Sequence, residues 1–217
     1  MRSDTMKIAI LGAGNVGTAL ARRLSAAGHD IMLGFGRDPE AVAAAAEAAG
    51  VGYGSPEALA AFGDVIVIAV PWAAVGDALA ALGPAAGKIV WDCTNPLAPD
   101  LSGLLVGGDT SGGEEIARLL PGARVIKGVP PFAELMHADD PFIAGAAPGL
   151  FVAGDDSEAK GIVAGLLAQL PATVVDAGPL MAARFIEPAM LLVVRLAYLK
   201  GMGPRIALTV QSEAAFG

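Results

Sequence analysis

Apolar residues fall along this chain in two alternating patterns. Short unbroken runs bounded by Gly, Pro, Asn or Asp predict strands over 7–11, 31–33, 51–53, 64–70, 88–93, 123–127, 150–153 and 173–176. Between them, apolar positions recur at helical spacing. Val16, Leu20, Leu24 and Ala27 predict one helix, and others are predicted over 39–49, 73–82, 114–120, 157–170 and 181–200, with a short one capped by Ser55. The 65–70 run does not alternate with polar residues, as expected of a parallel strand buried on both faces. Residues 100–113 and 133–149 carry no strong period and predict loops, the second long enough to serve as a lid or binding loop.

Strand and helix taking turns in this way predict an α/β fold with a mostly parallel, doubly wound sheet. The junction of the first strand and helix gives the fold its chemistry. Lys7 to Leu11 lead into Gly12-Ala13-Gly14-Asn15-Val16-Gly17, a G-x-G-x-x-G turn opening directly into a helix. Gly12 permits the sharp turn, Gly14 lets backbone N–H groups approach a pyrophosphate, and Gly17 lets the helix lie close to the strand. This is the dinucleotide fingerprint of a Rossmann-type unit. The second strand of such a unit commonly ends in Asp or Glu, which holds the ribose hydroxyls of NAD. Here it ends in Gly34-Phe35-Gly36-Arg37. A guanidinium suits a 2′-phosphate, so the expected cofactor is NADP(H). Asp38 reads as the cap of the next helix, with Pro39 at its first position.

Further candidates lie just past the strand ends, where such sheets bind ligands. Val70 and Trp72 are candidates for the wall beside the cofactor, Asn95 offers an amide, and Lys127 offers a grip on an oxygen or phosphate, or a general acid. His137 is a candidate proton donor in the 133–149 loop, against the simpler reading of a solvated histidine. His29 reads as a turn residue and Cys93 as a buried bystander. No catalytic pair stands out, and no His or Cys cluster suggests a metal.

Composition narrows the partners. The net charge is −8 over 217 residues, and the pI near 4.7 argues against nucleic acid and anionic membrane surfaces. A mean hydropathy of +0.60 raises the question of a membrane span. The uncharged stretches are broken by Pro or Gly and fall short of the ~20 residues a span needs. With one cysteine, and residues 1–5 running straight into the first strand as a loose start, a cytoplasmic setting is expected. Residues 1–127 are expected to form the cofactor domain. Residues 128–217 are expected to complete the pocket of a small-molecule substrate and to end in the apolar helix over 181–200. That helix carries Ile186, Met190, Val193, Val194, Ala197 and Tyr198 on one stripe, interrupted by Arg184, Glu187 and Arg195, and is expected to pair with a second copy as a homodimer.

Leu11 to Gly17, Val70-Pro71-Trp72, Ala153-Gly154-Asp155-Asp156, Asp176-Ala177-Gly178-Pro179-Leu180 and Gly201-Met202-Gly203 together resemble the NADP-dependent reductases of the deazaflavin coenzyme F420. The resemblance runs from about 6 to 210, and the 176–180 motif with its following helix is its most specific part. Broader relatives include bacterial dinucleotide-binding proteins and the cytosolic domain of metalloreductases. The resemblance implies hydride transfer between NADP(H) and F420, a reaction that needs no strong acid or base. It implies that Ala13, Gly14, Asn15 and Val16 hold the pyrophosphate, that Gly36 and Arg37 take the 2′-phosphate, and that Val70 and Trp72 line the nicotinamide side. The chain departs from the family pattern at Phe35, an extra residue before Gly36-Arg37, and at Pro130-Pro131, where relatives carry His or Asn followed by Thr. Two alternatives stay open: an NADPH-dependent reductase of a small imine, carbonyl or flavin, and a non-catalytic NADP sensor.

Overall fold

The computed structural model describes residues 5–211 and 213; apart from Thr5, the loose start over 1–5 lies outside them. Eight strands form one sheet: β1 (Lys7–Leu11), β2 (Asp30–Gly34), β3 (Gly52–Tyr53), β4 (Val65–Ile68), β5 (Ile89–Asp92), β6 (Arg124–Gly128), β7 (Gly149–Gly154) and β8 (Thr173–Gly178). Their order is β3-β2-β1-β4-β5-β6-β7-β8. The first six strands are parallel, β7 runs antiparallel to β6, and β8 is parallel to β7. The mostly parallel, doubly wound sheet expected from the sequence is therefore present. The C-terminal strands extend that sheet rather than start a new one.

The helices are α1 (Asn15–Ala26), α2 (Pro39–Ala49), α3 (Pro56–Phe62), α4 (Val75–Leu82), α5 (Gly112–Leu119), α6 (Ala133–His137), α7 (Ser157–Leu167) and α8 (Ala183–Tyr198). Because both faces of the sheet are covered, the central strands divide their side chains between two cores. Ile8, Ile10, Val65, Val67, Trp91 and Ile126 pack on one face with Leu20 and Leu24 of α1 and Val163 and Leu166 of α7. Ala9, Leu11, Ile66, Ile68, Val90 and Val125 pack on the other with Leu59, Leu79 and Ile116. This two-sided burial is why the strands read as unbroken apolar runs.

The structure corrects several expected bounds. The fourth strand stops at Ile68 rather than at 70, because Val70-Pro71 leaves the sheet and Pro71 has no N–H to pair. Ala69 still donates to the Leu11 carbonyl at 2.9 Å. The 133–149 stretch, expected to be irregular, opens with the short helix α6. It docks on α1, where Arg23 reaches the Met136 and Ala138 carbonyls. The last helix is preceded by a 3-10 turn at Leu180–Ala182 and ends at Tyr198. Among the described residues, no helix is long and apolar enough to cross a membrane.

Leu11, Ile68, Asp92 and Lys127 lie in one register row near the carboxyl ends of the central strands. The crevice above that row, between the β1 and β4 ends, is where the sheet order reverses and where ligands of such sheets bind.

Candidate functional site

The glycine turn is tight for reasons visible atom by atom. Gly12 has φ +124°, a region that side chains rarely adopt, and a Cβ there would stand 2.4 Å from the Ala69 carbonyl oxygen. A Cβ on Gly17 would stand 1.9 Å from the Gly12 oxygen, so only glycine lets α1 lie this close. Gly14 is different: nothing lies within 4 Å of its missing side chain, and the space opens outwards. Gly14 is also the N-cap of α1, no side chain caps that helix, and its first turn holds no acidic residue. The exposed N–H groups and the positive end of the helix dipole thus face open space, an arrangement that fits a pyrophosphate.

At the end of β2, the absence of a carboxylate has a steric reason. A Cβ on Gly34 would be 2.3 Å from the Gly54 oxygen. The extra residue Phe35 adopts φ 66°, and its carbonyl accepts a hydrogen bond from Ala13 N at 3.3 Å. The insertion is thereby absorbed in one left-handed residue that stays bound to the glycine turn, and its ring packs on the core. Arg37 follows, exposed and without a hydrogen-bond or ion-pair partner among the described residues. Asp38 caps α2, accepting from Glu40 N at 3.0 Å and Ala41 N at 3.4 Å. A cleft of about 690 Å³ brings Gly12, Ala13, Gly14, Gly36, Arg37 and Val70 together. Among the described residues, Arg37 is the one cation in a lining that also carries Asp38 and Asp77.

A second cavity, about 150 Å³, lies beyond the glycine turn at the ends of β5 and β6. It is lined by Val16, Cys93, Asn95, Leu97, the 129–132 stretch, the start of β7, Met190, Val193 and Val194 of α8, and Ile206, Ala207 and Leu208 of the C-terminal segment. Pro130 and Pro131 form part of its wall, and among the described residues the only polar side chains in it are Asn95 and Cys93. Asn95 donates its amide N–H to the Glu187 carbonyl at 3.2 Å. Burial pushes the Cys93 thiol well above its ordinary value, with the Asp92 carboxylate adding to the shift against the pull of Lys127.

The structure separates the remaining candidates from both cavities. Asn15 is exposed at the first turn of α1, and Gly17 is buried under the turn. Trp72 sits on a 3-10 turn and wedges against the start of α5, where a Cβ on Gly112 would meet its ring at 3.0 Å. It lines neither cavity. His137 is exposed at the last residue of α6. Lys127 is the largest departure, because it is neither a surface lysine nor a group that faces the crevice. Its side chain is 0% exposed, with Nζ 2.8 Å from Asp92 Oδ2, 2.8 Å from Glu187 Oε1 and 2.6 Å from the Thr94 carbonyl. Burial pulls the ammonium pKa down, but the two carboxylates outweigh it and hold the pKa above its ordinary value. With its contacts spent inside the fold, Lys127 has no proton to offer a substrate.

Glu187, which interrupts the apolar stripe of α8, turns out to be buried. Its carboxylate accepts from Gly112 N at 2.9 Å and Gly113 N at 3.0 Å, at the start of α5. Asp92 accepts from Thr94 N at 2.8 Å. The Lys127, Asp92 and Glu187 cluster therefore ties β5, β6, α5, α8 and the 94–95 turn together. An acidic residue inside an apolar helical stripe was the only sign of it in the sequence.

The family model described as NADP oxidoreductase, coenzyme F420-dependent, matches residues 7–96. A protein of Arthrobacter sp. FB24, provisionally described as an F420-dependent NADP-reductase, has a solved structure that is 31% identical, with 95% of this chain and 100% of that chain covered and a TM-score of 0.84. The hypothetical protein SMa0349 of Sinorhizobium meliloti is also 31% identical, over 82% of this chain and 88% of that chain, with a TM-score of 0.72. A reductive aminase of Aspergillus terreus, solved with NADPH and ethyl-5-oxohexanoate, is 24% identical over 91% of this chain and 63% of that one, TM-score 0.67, and shares the fold. Among curated proteins, a glycerol-3-phosphate dehydrogenase (NAD(P)+) of Thioalkalivibrio sulfidiphilus is 61% identical over 41 residues. That stretch is 19% of this chain and spans only 12% of the dehydrogenase. The chain is a member of the F420-dependent NADP oxidoreductase family, and so of the NAD(P)-dependent oxidoreductases.

Proposed function

We propose that this chain moves hydride between NADP(H) and the deazaflavin coenzyme F420. The observation that carries this reading is the cavity beyond the glycine turn, apolar and without an acid or base beyond a thiol whose pKa is raised. Reduction of a carbonyl or imine calls on a proton donor at the reacting atom. Lys127 is sealed in its ion cluster and His137 lies outside the cavity, so the two donors that such a reductase would use are out of reach. Hydride transfer between two rings needs proximity and alignment instead, with water kept away.

In this reading the N–H groups of Gly14, Asn15 and Val16 at the start of α1 bind the pyrophosphate. Gly12, Ala13 and Gly17 shape the turn, with the N–H groups of Gly12 and Ala13 donating to the Gly34 and Phe35 carbonyls. Gly36 and Arg37 hold the 2′-phosphate, with Val70 beside them in the cleft. The bound nicotinamide supplies or accepts the hydride. Val16 and Asn95 border the apolar cavity from the cofactor side, while the 128–217 part supplies most of its outer wall and excludes water. The resemblance gave Trp72 a place beside the nicotinamide; here its contribution is to brace α5.

A homodimer completes the proposal. Phe185, Leu192 and Leu199 are spaced seven apart along and just past α8, and they are 71%, 54% and 50% exposed, a second apolar stripe opposite the buried one. Sedimentation at micromolar concentration reads the stoichiometry, and a monomer throughout would contradict the dimer. The function itself is tested by mixing the protein with NADPH and oxidised F420. Matched loss of NADPH and deazaflavin absorbance is expected. No change with ample protein would overturn the reading.

A further inference from the structure

Hydride passes only when donor and acceptor carbons stand about 3–3.5 Å apart, so the partner's reacting ring must reach the nicotinamide from within the apolar cavity. The cavity at the β5 and β6 ends is about 150 Å³, the size of an apolar cavity that accepts a single benzene-sized ring. One ring fits inside it, and a fused three-ring system does not. For the proposed reaction to occur, a wall has to move.

The walls differ in how firmly they are held. Asn95 and Pro130 follow central strands, and Asn95 is hydrogen-bonded to α8. Val193 stands on α8, which the Lys127 and Glu187 ion pair anchors to the sheet. Ile206, Ala207 and Leu208 belong to a segment with no regular structure. Gly201 and Gly203, at φ 71° and 78°, turn the chain out of α8 into it. Among the described residues, the main chain from 204 onwards is tied to the body by one hydrogen bond, Gly149 N to Leu208 O at 2.7 Å. The remaining tie is Arg205, whose guanidinium reaches the Asp140 carbonyl at 3.0 Å and the Phe142 carbonyl at 3.4 Å. A segment with so few ties lies at the low end of local stability.

We infer that residues 204–210 are the gate of the second-substrate pocket and set the size of what enters it. Closed, the gate leaves room for one ring. Swung aside, it admits a fused three-ring system next to the cofactor. The inference rests on the proposed hydride transfer. Its cost is conformational: the apparent affinity of a large partner is the intrinsic affinity multiplied by the fraction of time the gate is open.

Calorimetry on three proteins tests it: the full chain, Arg205→Ala, and a chain ended after Gly203. NADP+ is titrated first, then oxidised F420 into the NADP+-saturated protein, and separately toluene into the nucleotide-free protein. NADP+ should bind all three alike. Loosening or removing the gate should tighten F420 about tenfold and weaken toluene, which loses a wall. Opposite signs are the signature. F420 affinity that stays level, or falls along with that for toluene, would overturn the gate. A full chain that fails to bind NADP+ would instead overturn the hydride-transfer reading beneath it. Hydrogen exchange gives a readout without substitution: the Gly149 amide should exchange faster when F420 joins the NADP+-loaded full chain, and unchanged or slower exchange would also overturn the proposal.

Discussion

In the proposed function, cofactor choice turns on Arg37. It is exposed, unpaired among the described residues, and stands in a cleft whose other charged lining residues, Asp38 and Asp77, are acidic. A 2′-phosphate on its guanidinium gains a charge-assisted pair, so Arg37→Ala should weaken NADPH by about 1.5–3 kcal/mol and leave NADH nearly unchanged. Fluorescence titration of both nucleotides checks this, and equal losses would show that Arg37 does not read the phosphate. Lys127 stands at the opposite extreme. Lys127→Met would leave Asp92 and Glu187 buried without their cation, and truncation of one partner of a buried pair costs about 3–5 kcal/mol. A correspondingly large fall in unfolding free energy is expected from denaturant curves, and a value within ~0.5 kcal/mol of the parent would refute the cluster's role. The two residues also mark what a sequence discloses. Gly12, Gly14, Gly17 and Arg37 are legible because their constraint is local: a turn, a close approach, a missing carboxylate. Lys127 is not, because its burial depends on Asp92, 35 residues earlier, and Glu187, 60 residues later, meeting it in space.

At the scale of elements, the two-sided burial of the sheet made the strands legible, and the capping residues Ser55 and Asp38 marked the starts of α3 and α2. Boundaries drifted where tertiary contacts intervene, as at the end of β4. The junction of α5 and α8 was invisible to periodicity. It joins Arg184 to Glu114 in a two-pronged pair at 2.8 and 2.6 Å, with Ser111 also donating to the carboxylate. The Arg184 hydrogen bonds hold Glu114 below its ordinary value of 4.5, against the opposing effect of burial, with Ser111 adding to the lowering. A carboxylate with a depressed folded pKa contributes stability that is present above its unfolded value and is lost as pH falls through the folded one. Glu114→Gln should therefore lower stability near neutrality and flatten its decline below about pH 4.5. Denaturant curves from pH 7 to 3 measure this, and an unchanged acid limb would contradict it.

At the scale of the whole molecule, the glycine turn divides two unlike spaces. On the β2 side lies the larger cleft with the guanidinium; on the β6 side lies a small, part-open apolar cavity with the C-terminal segment as one wall. The first half of this plan could be read from the chain, because the fingerprint and Arg37 sit within one βαβ unit. The second half could not. The cavity is assembled from residues as distant as Val16 and Leu208, and Pro130-Pro131 showed only that the family's usual polar pair was missing there. The proposed function is direct transfer: NADP(H) would be held by backbone and guanidinium, with its reacting ring facing an apolar space that supplies no proton. The most direct measurement follows deuterium from NADPH labelled at nicotinamide C4, one epimer at a time, into F420 in ordinary water. The account predicts that one epimer passes its deuterium to the reduced deazaflavin and the other keeps it on NADP+. Reduced deazaflavin without label from either epimer, or no reduction at all, would contradict it.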